Sequence, residues 1–365
     1  MTIKVLVVDD SSLIRRLVSR MLEETKTIQV VGQAADGLEA IEMIKKLRPQ
    51  VVTMDVEMPK LDGIGALRRI MKECPVPVIM LSAHTAEGTR ATMETLQMGA
   101  VDFVAKPMKA GQLGPMITEL TAKIRVASGV SLRKVGYRPL PPAPPVRPQP
   151  VKVAPKPASK PLVTPPPVPR ATGGRVEVVV IGCSTGGPVA LQSIIPLLPA
   201  NLPVGVVVVQ HIPVGFSKSM AEHLDRRSVV EVIHGNAGDE IRPGRVIVAP
   251  AGCETHFVKA GGRVTIQLKK CGEPIPPATF RPSVDQVMTA ATQVYGGKML
   301  GVLLTGMGRD GAQGMLEIRN LGGRTIAQDE NSCVVFGMPK AAIDIGGAEK
   351  IVPLPKIAQE IMQMV

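Results

Sequence analysis

Apolar and polar positions alternate in a regular way through the first third of the chain. Five short runs of mostly β-branched residues, among them KVLVVDD, IQVVGQA and QVVTMD, are typical of buried strands. The stretches between them repeat apolar residues at intervals of about three and four, the period of an amphipathic helix. Strands that alternate with helices favour a parallel sheet covered on both faces, so this region is predicted to be a doubly wound, five-stranded α/β domain.

A second α/β pattern begins near residue 175. The apolar runs VEVVVIG, VGVVVVQ and MLGVLLT predict buried strands, and SVDQVMTAATQVY is one of several helix-like stretches near them. The segment HFVKAGGRVTIQL, with two glycines between two strand-like runs, predicts a β-hairpin. We therefore expect a second doubly wound domain, with a Rossmann-like, mostly parallel sheet and an antiparallel hairpin.

The two patterns are separated by a segment rich in proline. Residues 138–170 contain fourteen prolines and few large apolar side chains, so burial cannot offset the entropy cost of ordering this backbone. We expect an extended tether, and a proline-rich ligand for a partner domain is the less favoured alternative. The predicted limits are 1–125 for the first domain, 126–172 for the linker and 173–365 for the second domain.

The net charge of +12 is concentrated in and around this linker. Eleven lysines and arginines occur from Lys123 to Arg175, and no acidic residue lies between Glu119 and Glu177. The folded domains are therefore close to neutral, which argues against nucleic acid as a partner. The N-terminal stretch soon reaches two aspartates, and nowhere do about 18 apolar residues follow one another. We expect a soluble, cytoplasmic protein without membrane insertion.

The cysteines give no sign of a structural framework. There are five, an odd number, and no pair has the CxxC spacing or a Cys/His spacing suited to zinc. We expect reduced thiols, and neither disulfides nor a structural metal, at Cys74, Cys183, Cys253, Cys271 and Cys333.

Polar residues follow the predicted strands of the first domain. Asp9 and Asp10 come after the first strand, Asp55 after the third, Ser82 after the fourth and Lys106 after the fifth. The carboxyl ends of parallel strands meet at one edge of a sheet, so these side chains should converge. Three carboxylates repel one another unless a cation lies among them, and their oxygens suit Mg²⁺. With the lysine and hydroxyl, the set fits phosphoryl transfer to a carboxylate better than it fits simple helix caps.

Through VDD, DVEMPKLDG and AKP, the first domain resembles a response-regulator receiver domain of flavodoxin-like fold. A receiver is phosphorylated by a histidine kinase and regulates the output domain attached to it. The resemblance implies these roles: Asp55 as phospho-acceptor; Asp10, Asp55 and the Glu57 carbonyl as Mg²⁺ ligands, with Asp9 assisting; Ser82 and Lys106 in contact with the phosphoryl group; and Phe103 as the aromatic switch residue.

Three residues at strand ends of the second domain form a candidate catalytic set. Ser184 lies in GCSTG, which matches the GxSxG turn, while His211 follows VGVVVVQ and Asp310 follows MLGVLLT. A serine needs a base to become a nucleophile at neutral pH, and the imidazole needs a carboxylate to fix its tautomer. The order Ser, His, Asp excludes the ordinary α/β-hydrolase fold, in which the histidine comes last. Backbone amides near Thr185 and Met307 are the candidate oxyanion donors.

Alternatives for the same segments are less favoured. His223, His234 and His256 are the other candidate bases, of which His256 is the best substitute, but each is more simply a surface or packing residue. GMGRDG satisfies GxGxxG and Asp329 has the spacing of a ribose-binding acid, yet Asp310 would direct a carboxylate at the pyrophosphate. GCSTGGP lacks the lysine of a P-loop.

With IGCSTGGP, QHIPVGFS, FRPSVD and TGMGRDGAQGM, residues 175–365 resemble the catalytic domain of chemotaxis protein-glutamate methylesterases, the CheB family. The resemblance implies hydrolysis of glutamyl methyl esters, and deamidation of glutamines, on methyl-accepting chemoreceptors. Ser184, His211 and Asp310 would be the nucleophile, the base and its orienting acid. The long linker and Phe280, where the family can carry His, depart from the pattern.

The resemblance also implies partners and cofactors. A chemotaxis histidine kinase would be the phosphodonor, Mg²⁺ would serve phosphorylation only, the ester reaction would need no cofactor, and the chain would be a monomer. Two other functions stay open at this point: an amidase that acts mainly on glutamine, and a receiver-controlled adaptor that binds a receptor without catalysis. A serine-directed ester probe separates the adaptor from both enzymes, since only an enzyme of this kind needs a reactive serine.

Overall fold

The computed structural model describes residues 2–83, 85–107, 113–130, 175–273 and 279–365. In the first domain, strands and helices alternate strictly along the described ranges. Their bounds are β1 Ile3–Val8, α1 Ser12–Glu24, β2 Ile28–Ala34, α2 Gly37–Leu47, β3 Val51–Asp55, α3 Gly63–Glu73, β4 Val78–Ser82, α4 Ala86–Gln97, β5 Asp102–Ala105 and α5 Leu113–Ala127.

The second domain adds nine strands and six helices within the same described ranges, with a short 3-10 turn after its first helix. None of the described helices is both long enough and apolar enough to cross a bilayer. The bounds are β6 Val178–Cys183, α6 Gly187–Ile194, β7 Gly205–Gln210, α7 Phe216–Asp225, β8 Glu231–His234, β9 Arg245–Val248, β10 Glu254–Ala260, β11 Arg263–Lys269, α8 Val284–Tyr295, β12 Met299–Leu303, α9 Ala312–Asn320, β13 Arg324–Gln328, α10 Met338–Asp344, β14 Lys350–Val352 and α11 Leu354–Met364.

The strand order confirms the predicted fold class. The first sheet is parallel throughout, with the order β2-β1-β3-β4-β5. The second sheet has seven parallel strands in the order β14-β13-β12-β6-β7-β9-β8, and β10 and β11 form a separate antiparallel hairpin. The chain proceeds from β6 to β7 on one side and from β12 to β13 on the other. Between β6 and β12 the order therefore reverses, and a ligand crevice in such sheets lies beyond the carboxyl strand ends at this point.

The apolar composition of the central strands follows from their position in the middle of the sheet. Helices cover both faces of a doubly wound sheet, so its inner strands are continuously apolar rather than alternating. Every residue of β6 and of β7 is buried. Polar groups can be exposed only where such a strand ends, which is why Ser184 and His211 lie at the rim of the sheet.

The predicted domain limits fall close to the edges of the described ranges. Helix α5 ends at Ala127, which is buried in the core of the first domain. Most of the predicted linker, residues 131–174, lies outside the described residues. The three domain limits therefore stay predictions.

The expectation that the chain contains no disulfide was wrong. Cys253 and Cys271 are bonded to each other, with Cα atoms 4.4 Å apart. They flank the β10–β11 hairpin, whose register pairs Glu254 with Lys269. Because this register brings the two flanking positions together, the pairing follows from the fold of the hairpin and has no signature in the spacing of the cysteines.

The two domains contact each other through α4 of the first and α6 and α7 of the second. Phe103 packs against Phe216 with ring centroids 4.7 Å apart and the ring planes tilted by 37°, and both side chains are buried. Gln97 Nε2 donates to Gln192 Oε1 at 2.6 Å. Because α7 begins shortly after His211, the contact reaches the segment that carries the candidate base.

Candidate active site

The acidic residues of the first domain meet at the carboxyl edge of its sheet. Carboxylate oxygens of Asp9, Asp10 and Asp55 all lie within 4.8 Å of one another. Lys106 Nζ lies 2.8 Å from Asp9 Oδ2 and 2.6 Å from Asp55 Oδ2. Burial raises the pKa of Asp55 even though Lys106 acts in the opposite direction. A divalent cation would favour the ionised carboxylate, and three carboxylates offer the oxygen ligands that Mg²⁺ prefers.

The other predicted residues of the first domain differ in their surroundings. Ser82 is buried, and its hydroxyl donates to the Gly88 carbonyl at 3.1 Å and accepts from Thr92 Oγ1 at 2.6 Å, both on α4. Phe103 lies in the contact between the domains, whereas Glu57 is exposed just after β3. If the Ser82 hydroxyl turned toward a phosphoryl group on Asp55, it would lose its hydrogen bonds to Gly88 and Thr92 on α4.

In the second domain, Ser184 and His211 follow β6 and β7, and Asp310 lies in the turn after β12. Backbone hydrogen bonds join these strand ends: the Ser184 N–H donates to the Thr305 carbonyl at 3.1 Å, and the His211 N–H donates to the Cys183 carbonyl at 3.0 Å. The lack of a side chain at Gly306 allows the turn after β12 to pack against the Ser184 turn, because a Cβ at this position would lie 2.9 Å from Ser184 Cβ. The predicted residues thus share the crevice at the reversal of strand order.

His211 and Asp310 form a direct pair. Nε2 of His211 lies 2.7 Å from Asp310 Oδ2, and the imidazole side chain is only 4% exposed. A carboxylate at this position accepts, so we assign the ring proton to Nε2 and the lone pair to Nδ1. Nδ1 is buried and has no hydrogen-bond partner among the described residues. The nitrogen free to act as a base is therefore Nδ1.

Asp310 is held by the N-terminus of α8. Its Oδ1 accepts from Ser283 Oγ at 2.8 Å and from the Asp285 N–H at 3.0 Å, and its Oδ2 accepts from the Val284 N–H at 2.7 Å as well as from His211. Burial acts to raise the pKa of Asp310, but the His211 contact and the backbone donors outweigh it and lower the pKa to about 2. The carboxylate is thus charged at neutral pH and fixed in direction.

The link between Ser184 and His211 is open. The Ser184 hydroxyl makes no hydrogen bond with any residue that the structure describes. The structure therefore brings the candidate base and the candidate acid together, and the candidate nucleophile lies in the same crevice without a hydrogen bond to either. Catalytic hydrogen bonds are often long in unliganded enzymes and tighten when the substrate binds.

Gln210, the last residue of β7, is a site residue that the sequence analysis missed. It is 3% exposed, and its Nε2 donates to the Ser184 carbonyl at 3.0 Å and to the His211 carbonyl at 2.8 Å. Gly187 makes room for it, since a Cβ there would lie 2.1 Å from Gln210 Oε1. One side chain thus holds together the backbone of the candidate nucleophile and the backbone of the candidate base. The sign of this residue in the sequence is a glutamine at the end of a run that is otherwise apolar.

The two residues whose backbone amides are candidate oxyanion donors differ in how far they are exposed. Thr185 is 5% exposed and precedes the N-terminus of α6, and the Met307 side chain is 39% exposed in the turn after β12. Neither backbone N–H donates to another residue in the described part of the chain. The Thr305 hydroxyl donates to the Thr185 carbonyl at 3.0 Å and fixes one turn against the other.

Two of the alternative bases have hydrogen-bond partners. His223 Nε2 lies 2.6 Å from Gln97 Nε2 in the contact between the domains, and His234 Nε2 lies 3.0 Å from Ser217 Oγ. His256 Nε2 is buried in the hairpin, 3.5 Å from Glu254 Oε2, and makes no hydrogen bond with a described residue. Asp329, the acid of the dinucleotide alternative, accepts from the N–H of Ser332 at 3.1 Å and stabilises a local turn.

Receiver and catalytic folds in one chain define a response regulator with an enzyme as its output domain. The family models for "CheB methylesterase" and "Response regulator receiver domain" match residues 179–361 and 5–118. The chain belongs to the CheB methylesterase family.

Two relatives match this chain over nearly its whole length. The chain is 46% identical to the protein-glutamate methylesterase/protein-glutamine glutaminase 1 of Carboxydothermus hydrogenoformans over 98% of each chain. It is 43% identical to the protein-glutamate methylesterase/protein-glutamine glutaminase of Symbiobacterium thermophilum, over 100% of this chain and 97% of the relative. Among solved structures, the CheB methylesterase catalytic domain of Thermotoga maritima is 41% identical, with a TM-score of 0.50, and the match covers 53% of this chain and 100% of that domain.

Proposed function

We propose that this protein hydrolyses glutamyl methyl esters and deamidates glutamines on methyl-accepting chemoreceptors, with Ser184, His211 and Asp310 as its catalytic triad. The observation that carries the proposal is the His211–Asp310 hydrogen bond, which leaves Nδ1 as the free basic nitrogen in the crevice that also holds Ser184. The enzyme works in the cytoplasm as a monomer, under control of its receiver domain.

Ser184 Oγ attacks the side-chain carbonyl carbon while His211 Nδ1 takes the hydroxyl proton. The imidazolium is stabilised by Asp310, and the oxyanion accepts hydrogen bonds from the amides of Thr185 and Met307. Collapse breaks the ester C–O bond, and Nδ1 returns its proton to the departing methanol. Nδ1 then takes a proton from a water molecule, which attacks the acyl enzyme. The proton returns to Ser184 Oγ, and the receptor leaves with a glutamate side chain. An amide substrate follows the same course with ammonia as the leaving group.

The surroundings of the triad suit a polypeptide substrate. A groove of about 300 Å³ lies beside the Met307 turn and is lined by Gly308, Arg309, Gly337 and Lys340, among others. Asp344 also lines the groove and lies 2.7 Å from Lys340 Nζ, so Arg309 is the cation that remains to attract an acidic group next to the glutamate that reacts.

The receiver controls this reaction through Asp55. A chemotaxis histidine kinase supplies the phosphoryl group. Asp10, Asp55 and the Glu57 carbonyl would hold Mg²⁺, with Asp9 assisting, and the ion would neutralise charge during the transfer. Lys106 and Ser82 then contact the phosphoryl oxygens. Ser82 is hydrogen-bonded to α4, and α4 contacts α7, the helix that carries Phe216. Movement of Ser82 therefore disturbs α4 and with it the Phe103–Phe216 contact.

Methanol and ammonia release from a methylated receptor fragment, with and without acetyl phosphate and Mg²⁺, tests the proposal. We expect acetyl phosphate to raise methanol release by about fivefold or more, the lower end of ordinary coupling between sites. In Asp55→Asn the ratio of the two rates should fall to one, because the acceptor is missing. Asp62→Asn is the matched control: Asp62 caps α3 through the Gly65 N–H, which an asparagine also accepts from, so stimulation should persist. Receptor binding without release of either product would favour the adaptor.

A further inference from the structure

Phe280 covers the face of the candidate base. Its ring lies parallel to the His211 imidazole, with 3.8 Å between the ring centroids and 7° between the ring planes. Phe280 is 48% exposed, whereas the His211 side chain is 4% exposed. Burial of the Phe280 ring therefore does not explain its position, and the contact contributes more to the burial of His211 than to that of Phe280.

The segment that carries Phe280 is anchored close to the triad. The carbonyl of Arg281 accepts from the Gly252 N–H at 2.8 Å at the base of the hairpin. Two residues further on, Ser283 Oγ donates to Asp310 Oδ1 at 2.8 Å. The ring is thus held in a fixed relation to the carboxylate that orients the base.

Asp310 alone does not fix the plane of the imidazole. It holds one atom, Nε2, and the opposite nitrogen has no partner among the described residues. The ring can therefore tilt about this single hydrogen bond, and a tilt moves Nδ1 with respect to Ser184. A parallel ring opposes the tilt, because the stacked contact is lost when either plane turns.

We propose that Phe280 is a positioning residue, which holds the plane of His211 so that Nδ1 can accept the proton of Ser184. This inference rests on the proposed function of the triad. A misplacement of reacting groups by about 1 Å can cost on the order of 100-fold in rate, so a looser ring should lower kcat rather than weaken substrate binding.

Three variants separate the planar contact from simple bulk. Phe280→Leu keeps an apolar side chain but removes the flat ring, and we expect kcat for methanol release to fall by about tenfold with KM unchanged. Phe280→Tyr keeps the flat ring and should restore kcat to nearly the wild-type value. Val258→Ala changes a similarly exposed apolar residue on the hairpin, 41% exposed, and should leave both constants unchanged. Thermal unfolding of each full-length variant accompanies the kinetics.

The rate at which a serine-directed ester probe labels the enzyme gives a second readout, since it reports the activation of Ser184 without the receptor. Slower labelling in Phe280→Leu, restored in Phe280→Tyr at an equal unfolding midpoint, supports the inference. An unchanged kcat in Phe280→Leu, an effect on KM alone, or no recovery in Phe280→Tyr overturns it while wild-type turnover stands. A wild-type chain that releases neither methanol nor ammonia overturns the proposed function and this inference together.

Discussion

Replacing Ser184 with alanine is expected to lower methanol release from a methylated receptor fragment by about 10⁴-fold or more, because no acyl intermediate can form without the hydroxyl. The fold should not change, since this hydroxyl makes no hydrogen bond with any described residue and the turn is held through the backbone. Turnover and the thermal unfolding midpoint of Ser184→Ala, measured on the same preparation, separate loss of chemistry from loss of folding.

Ser193→Ala is the matched control for this substitution. Ser193 is exposed on α6, the helix that follows the Ser184 turn, and its hydroxyl donates only to the Val189 carbonyl of the same helix. We expect activity close to that of the wild type. If Ser184→Ala kept more than about one hundredth of the wild-type rate, the nucleophile would be a different group.

Asp310→Asn should have the second largest effect, a fall in kcat on the order of 10³-fold. Each carboxylate oxygen of Asp310 accepts from two donors. If the asparagine NH₂ group took the place of Oδ2, it would face both the Val284 N–H and His211 Nε2, and it would favour the imidazole tautomer with the proton on Nδ1. If it took the place of Oδ1, it would face the Asp285 N–H. In either orientation the charge that stabilises the imidazolium is lost.

Asp239→Asn makes the same chemical change away from the triad. Asp239 Oδ2 accepts from the Asn236 N–H at 2.7 Å in the turn after β8, and an asparagine oxygen can accept from the same donor. We expect this control to keep most of its activity. The kinetic measurement is kcat for methanol release at neutral pH, and comparable rates for the two variants would contradict the role of Asp310 as the orienting acid.

The sequence predicts the fold class of both domains because that class depends on patterns that each segment carries by itself. The runs that became β6 and β7 are apolar throughout, as buried parallel strands must be. The position of a polar residue directly after such a run is enough to locate it at the carboxyl edge of the sheet. For this reason Ser184 and His211 could be named as candidates from the sequence alone.

Other features depend on segments that are distant along the chain. His211 and Asp310 are 99 residues apart, and which ring nitrogen faces the carboxylate follows from how α8 presents its N-terminus. The disulfide depends on the hairpin register, and the Phe280 stack depends on where the segment before α8 is anchored. Gln210 resembles any polar residue at a strand end until its two carbonyl partners are known.

Mass spectrometry after reaction with a serine-directed ester probe tests most directly whether Ser184 is a nucleophile activated by His211. We predict one covalent adduct, on the peptide that contains Ser184, and labelling that is slower by about 10³-fold or more in His211→Ala. An adduct on another residue, labelling of Ser184 at an unchanged rate in His211→Ala, or no adduct on a folded and otherwise active chain would contradict the triad.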